Sequence, residues 1–337
     1  MASLPEGLLD GGAWFRVEES ATASAARRAA ERLAAELSMP DNRTADLSIV
    51  AAEVAGNLVK HADRGTLLVR TVRTEQQAGV EIVAIDHGPG MADLAYSLVD
   101  GHSTAGTLGI GLGAIVRQAS WSDVHSVPQK GTVLAAQVWP SGPPPLAWAA
   151  GLLRPLSGEP VSGDAFAIRD SGGRHQVLMC DGLGHGPLAA AAAHEAVRAF
   201  ADAPPSEPAA LVELLHRRLN HTRGAAVAVA ELDARAGLVR YAGLGNISGT
   251  VLSPGARRGM VSLPGIAGHQ RRQIRQYDYP IAPDGLVLMH SDGVVDRWDP
   301  AEYPGLLVHS PTVIAATVLR DAGTRRDDAG VLVARLP

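Results

Sequence analysis

Cysteine is almost absent from this 337-residue sequence, in which Cys180 is the only one. A single thiol cannot form an intramolecular disulfide and cannot build a Cys-rich zinc site. We therefore predict a reducing, cytoplasmic setting. Lysine is also scarce, with only Lys60 and Lys130. Neither follows a glycine, so the Gly-Lys-Ser/Thr signature of a P-loop nucleotide site is excluded.

Long apolar runs are missing as well. None reaches the ~18 residues of a membrane helix, and the first residues lack the charged and then apolar segments of a signal peptide. The 30 basic and 35 acidic residues give a formal charge of −5. Such mild acidity offers no electrostatic attraction for nucleic acid or an anionic membrane. We therefore predict neither nucleic acid nor membrane as a partner.

The length suggests about two domains, at roughly 150 residues each. A Ser-Gly-Pro-Pro-Pro segment at 141–145 can continue neither a helix nor a central strand, so it is the predicted linker. The predicted domains are residues 10–140 and 146–337. Apolar periodicity predicts helices over 21–37, 44–61, 188–202 and 209–219. The predicted class is α+β, with helices over a mixed sheet in the first domain and a β-sandwich flanked by helices in the second.

Glu53 and Asn57 are four residues apart on the second predicted helix, so their side chains point the same way. A carboxylate and an amide together suit a magnesium ion that keeps several waters and holds phosphate oxygens. Glu53 could instead act as a general base. Considered alone, such a pair is more often simply two solvated residues on a helix.

Glycine-rich segments follow this helix. Asp86-His-Gly-Pro-Gly90 ends a predicted strand, where an acid can accept a hydrogen bond from an exocyclic amine and glycines let a base approach the backbone. Residues 106–113 lead directly into a helix, whose N-terminal N–H groups can bind phosphate. Lys130-Gly-Thr132 opens the last strand. Four such motifs in this order indicate an ATP site.

With these motifs, residues 10–140 resemble the Bergerat-fold ATPases of the gyrase and histidine-kinase superfamily. Glu53 to Asn57, followed by His61-Ala62, matches the N box, and 86–90 and 106–113 match the two glycine boxes. Among the serine kinases of bacterial partner-switching systems, the domain most resembles the stressosome switch kinase, through residues 100–106 before the second glycine box and Lys130-Gly-Thr132 after it. The resemblance implies an α/β sandwich in which Glu53 activates the acceptor serine, Asn57 holds Mg²⁺ and Asp86 reads adenine. The implied ATP and magnesium residues are Asn57, Asp86, Gly88, Gly90, Gly106, Thr107, Gly109, Gly111, Gly113, Lys130 and Thr132.

Dispersed aspartates mark the second half of the sequence. Asp164, Asp181, Asp292 and the pair Asp327-Asp328 all stand at predicted strand ends. Buried acids that converge need cations, and ligation by oxygen alone favours Mg²⁺ or Mn²⁺. Two such ions can activate a water for in-line attack on a phosphoryl group. Each aspartate alone is also a common turn residue.

Asp181 to Gly186 is similar to the Asp-Gly-x-Gly-His-Gly motif of the PP2C-type phosphatases, in the branch of the sporulation (SpoIIE) and stress-response enzymes. The resemblance covers residues 146–337 and implies an αββα sandwich that binds two Mn²⁺ or Mg²⁺ ions. The implied metal ligands are Asp164, Asp181, the Gly182 carbonyl, Asp292 and Asp327, with Asp328 as the alternative to Asp327.

Two details of the second resemblance stay open. Members often have a threonine after the terminal Asp pair, where this sequence has Ala329-Gly330. His185 lies either near the substrate phosphate or within a turn that only caps the next helix.

Together the two resemblances imply a bifunctional regulator. The first domain would phosphorylate a serine or threonine of a STAS-type antagonist or stressosome-type protein with Mg·ATP, and the second would remove phosphate from the same or a related protein. A sigma factor or a downstream phosphatase would respond to the result. The alternative is an ATP-responsive module that binds a sigma factor or other partner without phosphotransfer, fused to an active phosphatase.

Overall fold

The computed structural model describes residues 12–94, 111–142, 147–157, 159–171, 173–253, 255–271, 273–324 and 326–336. Gly106, Thr107 and Gly109, and residues 143–145 of the predicted linker, lie outside this described part. The chain forms two compact units. The N-terminal unit comprises Pro5–Leu146 with Glu302–Arg320, and the C-terminal unit comprises Ala147–Ala301 with Asp321–Pro337. Residues 302–320 therefore pack with the N-terminal unit, although they come late in the sequence.

Six α-helices occur in the described ranges: α1 (Ser20–Glu36), α2 (Asp41–His61), α3 (Gly111–Gln118), α4 (Pro187–Asp202), α5 (Pro208–Arg218) and α6 (Pro311–Ala322). The strands of the N-terminal unit are β1 (Ala13–Arg16), β2 (Thr66–Arg73), β3 (Ala78–Ile85), β4 (Trp121–Val127) and β5 (Gly131–Val138). Those of the C-terminal unit are β6 (Ala149–Arg154), β7 (Asp164–Ser171), β8 (Arg174–Gly182), β9 (Ala225–Asp233), β10 (Leu238–Leu244), β11 (Ser248–Ser253), β12 (Ala256–Met260), β13 (Ser262–Leu263), β14 (Tyr277–Pro280), β15 (Leu286–His290) and β16 (Ala329–Arg335).

The N-terminal sheet has the order β1-β2-β3-β5-β4. It differs from the mixed sheet expected, because its described pairings are all antiparallel. The reason is that β2–β3 and β4–β5 are adjacent pairs joined without a crossover, and β5 then pairs antiparallel with β3. Leu47, Val50 and Val54 form the buried stripe of α2, which packs in one core with Leu67 and Ile82 of the sheet.

The C-terminal unit is a sandwich of two sheets. One has the order β13-β10-β9-β8-β7, with β14 also paired to β10, and the other has the order β12-β11-β15-β16-β6. Val177 and Met179 of the first sheet share a core with Val287, Met289 and Leu332 of the second. Helices α4 and α5 pack on the first sheet. The predicted two-domain α+β class is confirmed. Among the described residues, none of the helices combines the length and apolar character needed to cross a membrane.

Candidate nucleotide and metal sites

Glu53 and Asn57 converge on the start of α3. A β-carbon built on Gly111 would lie 3.2 Å from Glu53 Oε2 and 3.2 Å from Asn57 Oδ1. The two oxygens therefore lie close together at the beginning of the helix. Gly113, in the first turn of the same helix, is buried. A carboxylate and an amide oxygen beside a helix N-terminus can serve Mg²⁺ and phosphate together.

Asp86 follows β3 and is partly buried. Its Oδ1 accepts hydrogen bonds from the backbone N–H of Gly88 (2.6 Å) and of Thr132 (3.3 Å). Burial raises the pKa of Asp86 above its ordinary value, although these hydrogen bonds act in the opposite direction. Both hydrogen bonds use Oδ1, so the geometry suits an Asp86 Oδ2 that accepts a hydrogen bond from a base.

The two glycines after Asp86 serve the packing of the chain itself. A β-carbon on Gly88 would stand 2.7 Å from the carbonyl oxygen of His61, and one on Gly90 would stand 2.2 Å from that of Val127. Gly90 also has a φ of +67°, which favours glycine. The glycine requirement here therefore comes from close backbone contacts, in addition to any contact with a ligand.

Lys130 and the Asp86 backbone are both engaged by the segment 302–320. The ammonium of Lys130 pairs with Glu302 at 2.7 Å and lies 4.5 Å from the ring centroid of Tyr303. Arg320 Nη1 donates to the Asp86 carbonyl oxygen at 3.4 Å. Two residues that the sequence predicts at the ATP site thus have contacts from the chain's own late segment.

The same segment is held to β4 through Asp123. Its Oδ1 accepts a hydrogen bond from His309 Nδ1 and its Oδ2 accepts one from the Ser310 N–H, each at 2.7 Å. Burial alone would raise the pKa of Asp123, but these hydrogen bonds prevail and lower it to about 2. Asp123 is therefore an ionised anchor at neutral pH.

In the C-terminal unit, Asp164 and Asp181 stand directly opposite each other on β7 and β8. Asp164 is only 2% exposed, and its Oδ2 accepts a hydrogen bond from Ser291 Oγ at 2.6 Å. Burial, followed by the charge of Asp181, raises the pKa of Asp164 well above its ordinary value. Burial and the neighbouring Asp292 and Asp327 raise the pKa of Asp181 to about 7.

Asp292 approaches this pair from the other sheet, in the turn after β15. Its Oδ2 accepts a hydrogen bond from Asn246 Nδ2 at 2.7 Å. Burial raises the pKa of Asp292, and the charge of Asp327 raises it further. The aspartates of both sheets therefore repel one another electrostatically at one edge of the sandwich.

The terminal pair divides into two different roles. Asp328 is buried, and its two oxygens accept the N–H groups of Leu156 (2.8 Å) and Gly163 (2.9 Å). Asp327 is exposed, and its Oδ1 accepts the N–H of Asp328 at 2.9 Å. Asp328 thus ties three segments together, while Asp327 keeps the greater freedom to bind a ligand.

Divalent cations suit this donor set, because every candidate is an oxygen and the buried carboxylates raise one another's pKa. In this conformation no three His, Cys, Asp or Glu side chains within the described ranges are placed so that they could together hold a metal ion. Asp164 and Asp292 instead hold the hydroxyl of Ser291 and the amide of Asn246. A bound ion would compete with these two protein donors.

Gly182 and His185 complete the predicted residues of this site. A β-carbon on Gly182 would lie 2.2 Å from the carbonyl oxygen of Ala189, so no larger residue fits beside α4. His185 Nδ1 is 2.8 Å from Glu159 Oε1. Helix α4 has Gly186 as its N-cap and no side-chain cap, so His185 does not cap it.

Ser291, Asn246 and Glu159 are partners that the sequence analysis did not identify. Ser291 directly precedes Asp292, so the sequence already placed it next to a predicted metal ligand. Asn246 and Glu159 carry no such signal, because they reach Asp292 and His185 across 46 and 26 residues.

Comparison with known proteins supports both halves of the sequence interpretation. Residues 17–138 match the family model of the histidine kinase-like ATPase domain, and residues 171–337 match that of stage II sporulation protein E, SpoIIE. The serine/threonine-protein kinase RsbT of Bacillus subtilis (strain 168) is 32% identical over 115 residues, which are 34% of this chain and 86% of RsbT. The two family matches fall on separate stretches of the chain.

A solved structure agrees with this picture. It concerns the bacterial stressosome, described as a modular system adapted to control secondary messenger signalling. One of its chains is 31% identical, with a TM-score of 0.52, over 56% of this chain and 98% of its own length. The family resemblances predicted from the motifs are thereby confirmed.

Proposed function

This chain belongs to the RsbT-like serine/threonine kinases, here joined to a SpoIIE-type PP2C phosphatase domain, and we propose that the fusion is a bifunctional partner-switching regulator. One active site would add phosphate to a partner protein and the other would remove it. The observation that supports this proposal is that each unit has its own cluster of candidate residues, with Glu53 and Asn57 converging at Gly111 in one and mutually interacting aspartates in the other.

For the kinase, the proposal rests on the convergence of Glu53 and Asn57 at Gly111. Glu53 would accept the proton of the acceptor serine or threonine hydroxyl. The hydroxyl oxygen would then attack the γ-phosphorus of ATP, and ADP would leave. Asn57 would hold the magnesium ion of ATP, and Asp86 would accept a hydrogen bond from adenine. The remaining predicted residues, including Gly106, Thr107, Gly109 and Gly113, would surround the phosphates.

For the phosphatase, the acid-rich edge of the sandwich supports binding of two Mn²⁺ or Mg²⁺ ions. Asp164, Asp181, Asp292 and Asp327 would hold them, together with the Gly182 carbonyl. When bound, such ions supply an activated water and neutralise the phosphoryl charge. Asp328 would position the others, because both of its oxygens already accept backbone N–H groups.

The partner in this proposal is a STAS-type antagonist or stressosome-type protein in the cytoplasm. The kinship with RsbT and with a stressosome chain supports this choice. A sigma factor or downstream phosphatase would respond to its phosphorylation state. Because the opposed activities on one chain would consume ATP without effect, one must be restrained while the other works.

An alternative is that the N-terminal unit binds ATP and a partner without transferring phosphate. The contacts of Lys130 and of the Asp86 carbonyl with the segment 302–320 favour this reading, since a protein segment already borders the predicted nucleotide site.

Labelled ATP separates the two alternatives. The full chain would be incubated with labelled ATP, Mg²⁺ or Mn²⁺, and STAS proteins encoded nearby, as wild type, Glu53→Gln and Asp181→Asn. We expect Glu53→Gln to bind ATP but transfer none of the label, because the carboxylate base is lost. Asp181→Asn should let phosphoserine accumulate. Glu36→Gln, an exposed glutamate on α1, is the matched control.

Transfer at the wild-type rate by Glu53→Gln would rule out its role as the base. Binding of ATP by the wild type without any labelled partner, but with normal partner control, would instead favour the alternative.

A further inference from the structure

Arg223 precedes strand β9 and lies beside the loop that follows Asp181. Strands β8 and β9 pair antiparallel, with Asp181 opposite Ala226 and Gly182 opposite Ala225. The pairing ends there, and the chain that leads into β9 brings Arg223 close to Gly184. A β-carbon built on Gly184 would lie 3.4 Å from Arg223 Nη1. The guanidinium thus stands next to the Asp-Gly-Leu-Gly-His-Gly loop that begins at Asp181.

The backbone at this point is firmly held. The Leu183 N–H donates to the Gly224 carbonyl oxygen at 3.0 Å, and the Gly224 N–H donates to Thr222 Oγ1 at 3.0 Å. Gly224 has a φ of +83°, and a β-carbon there would approach His269 Cδ2 to 2.6 Å. Arg223 therefore projects from a fixed position relative to the loop.

The Arg223 side chain is exposed, and it makes no hydrogen bond or ion pair with the residues that the structure describes. Other arginines of the same unit are neutralised by acids, as Arg218 is by Glu195 and Arg240 by Glu231. A guanidinium offers five donors in a planar fork that fits phosphate oxygens in pairs. An uncommitted one beside the loop that begins at Asp181, a predicted metal ligand, has the chemistry of an anion-binding group.

We propose that Arg223 binds the phosphoryl group of the phosphoserine or phosphothreonine substrate, and equally the phosphate product. The inference rests on the phosphatase activity proposed for the C-terminal unit. It also assigns the cationic contact to Arg223 in preference to His185, whose Nδ1 already faces Glu159. Arg223 touches the substrate and takes no part in proton transfer.

Steady-state kinetics of the full chain with Mn²⁺ test this assignment. Arg223→Ala, Arg223→Lys and wild type would be compared on a phosphoserine peptide and on a small aryl phosphate, with inhibition by inorganic phosphate measured in parallel. Charged hydrogen bonds contribute enough for about a tenfold effect at an exposed site. We expect Arg223→Ala to raise both KM values and the inhibition constant of phosphate about tenfold, with a smaller change in kcat. Arg223→Lys should retain part of the affinity.

Arg235→Ala is the matched control, because Arg235 is an exposed arginine in the turn at the opposite end of β9. The proposal is overturned if Arg223→Ala and Arg235→Ala give the same KM and phosphate inhibition. It is also overturned if Arg223→Ala weakens only the peptide, leaving aryl phosphate and inorganic phosphate unaffected, since Arg223 would then recognise other groups of the partner. Should the wild type show no turnover, the phosphatase proposal fails by itself. Calorimetric binding of inorganic phosphate to the Mn²⁺-loaded variants would then still decide the role of Arg223.

Discussion

Replacing Asp181 by asparagine should stabilise the metal-free protein and abolish its response to metal. Asp181 faces Asp164 on the neighbouring strand and senses Asp292 and Asp327 from the second sheet. Its carboxylate is unfavourable without a cation, because burial and these charges raise its pKa to about 7. Asparagine has nearly the same shape and no charge, so it removes the repulsion but also removes an anionic ligand.

The magnitude follows from the displaced pKa. The ordinary value is 3.8 and the folded value is about 7. Folding favours the protonated form of Asp181. The stability that this protonated form contributes is therefore fully present below about pH 4 and is lost as the pH rises to about 7. At 1.36 kcal/mol per pKa unit the loss has an upper bound of about 4 kcal/mol, which partial solvent contact reduces to about 2 kcal/mol. For a unit of this size, that corresponds to a Tm increase of about 5 °C for Asp181→Asn.

Thermal unfolding of the full chain would be recorded with a chelator at pH 5 and pH 8, and again with Mn²⁺. We expect the gain of Asp181→Asn over wild type to be larger at pH 8 than at pH 5, and the Mn²⁺-induced increase in Tm to vanish in the variant. Asp284→Asn, an exposed change just before β15, is the control. An Asp181→Asn protein that is no more stable than wild type at pH 8 without metal would refute the repulsion argument. A full Mn²⁺ response in the variant would refute the ligand role.

Two further changes test the surroundings of the sites. The folded pKa of Asp123 is about 2 and its ordinary value is 3.8, so its contribution is present above about pH 4 and is lost as the pH falls towards 2. Asp123→Asn should cost about 2 kcal/mol at pH 7 in urea unfolding, and a cost no greater than that of exposed Asp63→Asn would contradict this. Asn246→Ala frees Asp292 of a donor that a bound ion must displace, so it should lower the Mn²⁺ concentration for half-maximal thermal stabilisation about tenfold; an unchanged or higher concentration would show that Asn246 does not compete with the ion.

Long amphipathic helices were predictable from the sequence. Helices α1, α2, α4 and α5 begin and end within about three residues of the predicted bounds, because each has an apolar stripe at helical spacing. Helix α6 was not predicted. Residues 311–320 are all buried, so this helix lacks the polar face that reveals helical periodicity. The short strands β11 to β14 were not predicted either, because segments of two to six residues show little alternation of apolar and polar side chains.

Motifs and their spacing specify which acids, amides and glycines are available, and they predict an ATP site in one half and divalent-cation ligands in the other. The partners of these residues depend on how the chain folds. In the fold, Asp328 is buried and accepts two backbone N–H groups, whereas Asp327 is exposed. The fold also pairs Lys130 with Glu302, Asp164 with Ser291 and Asp292 with Asn246. These contacts join residues 46 to 172 positions apart. They depend on strand register and sheet packing, which local composition and periodicity do not specify.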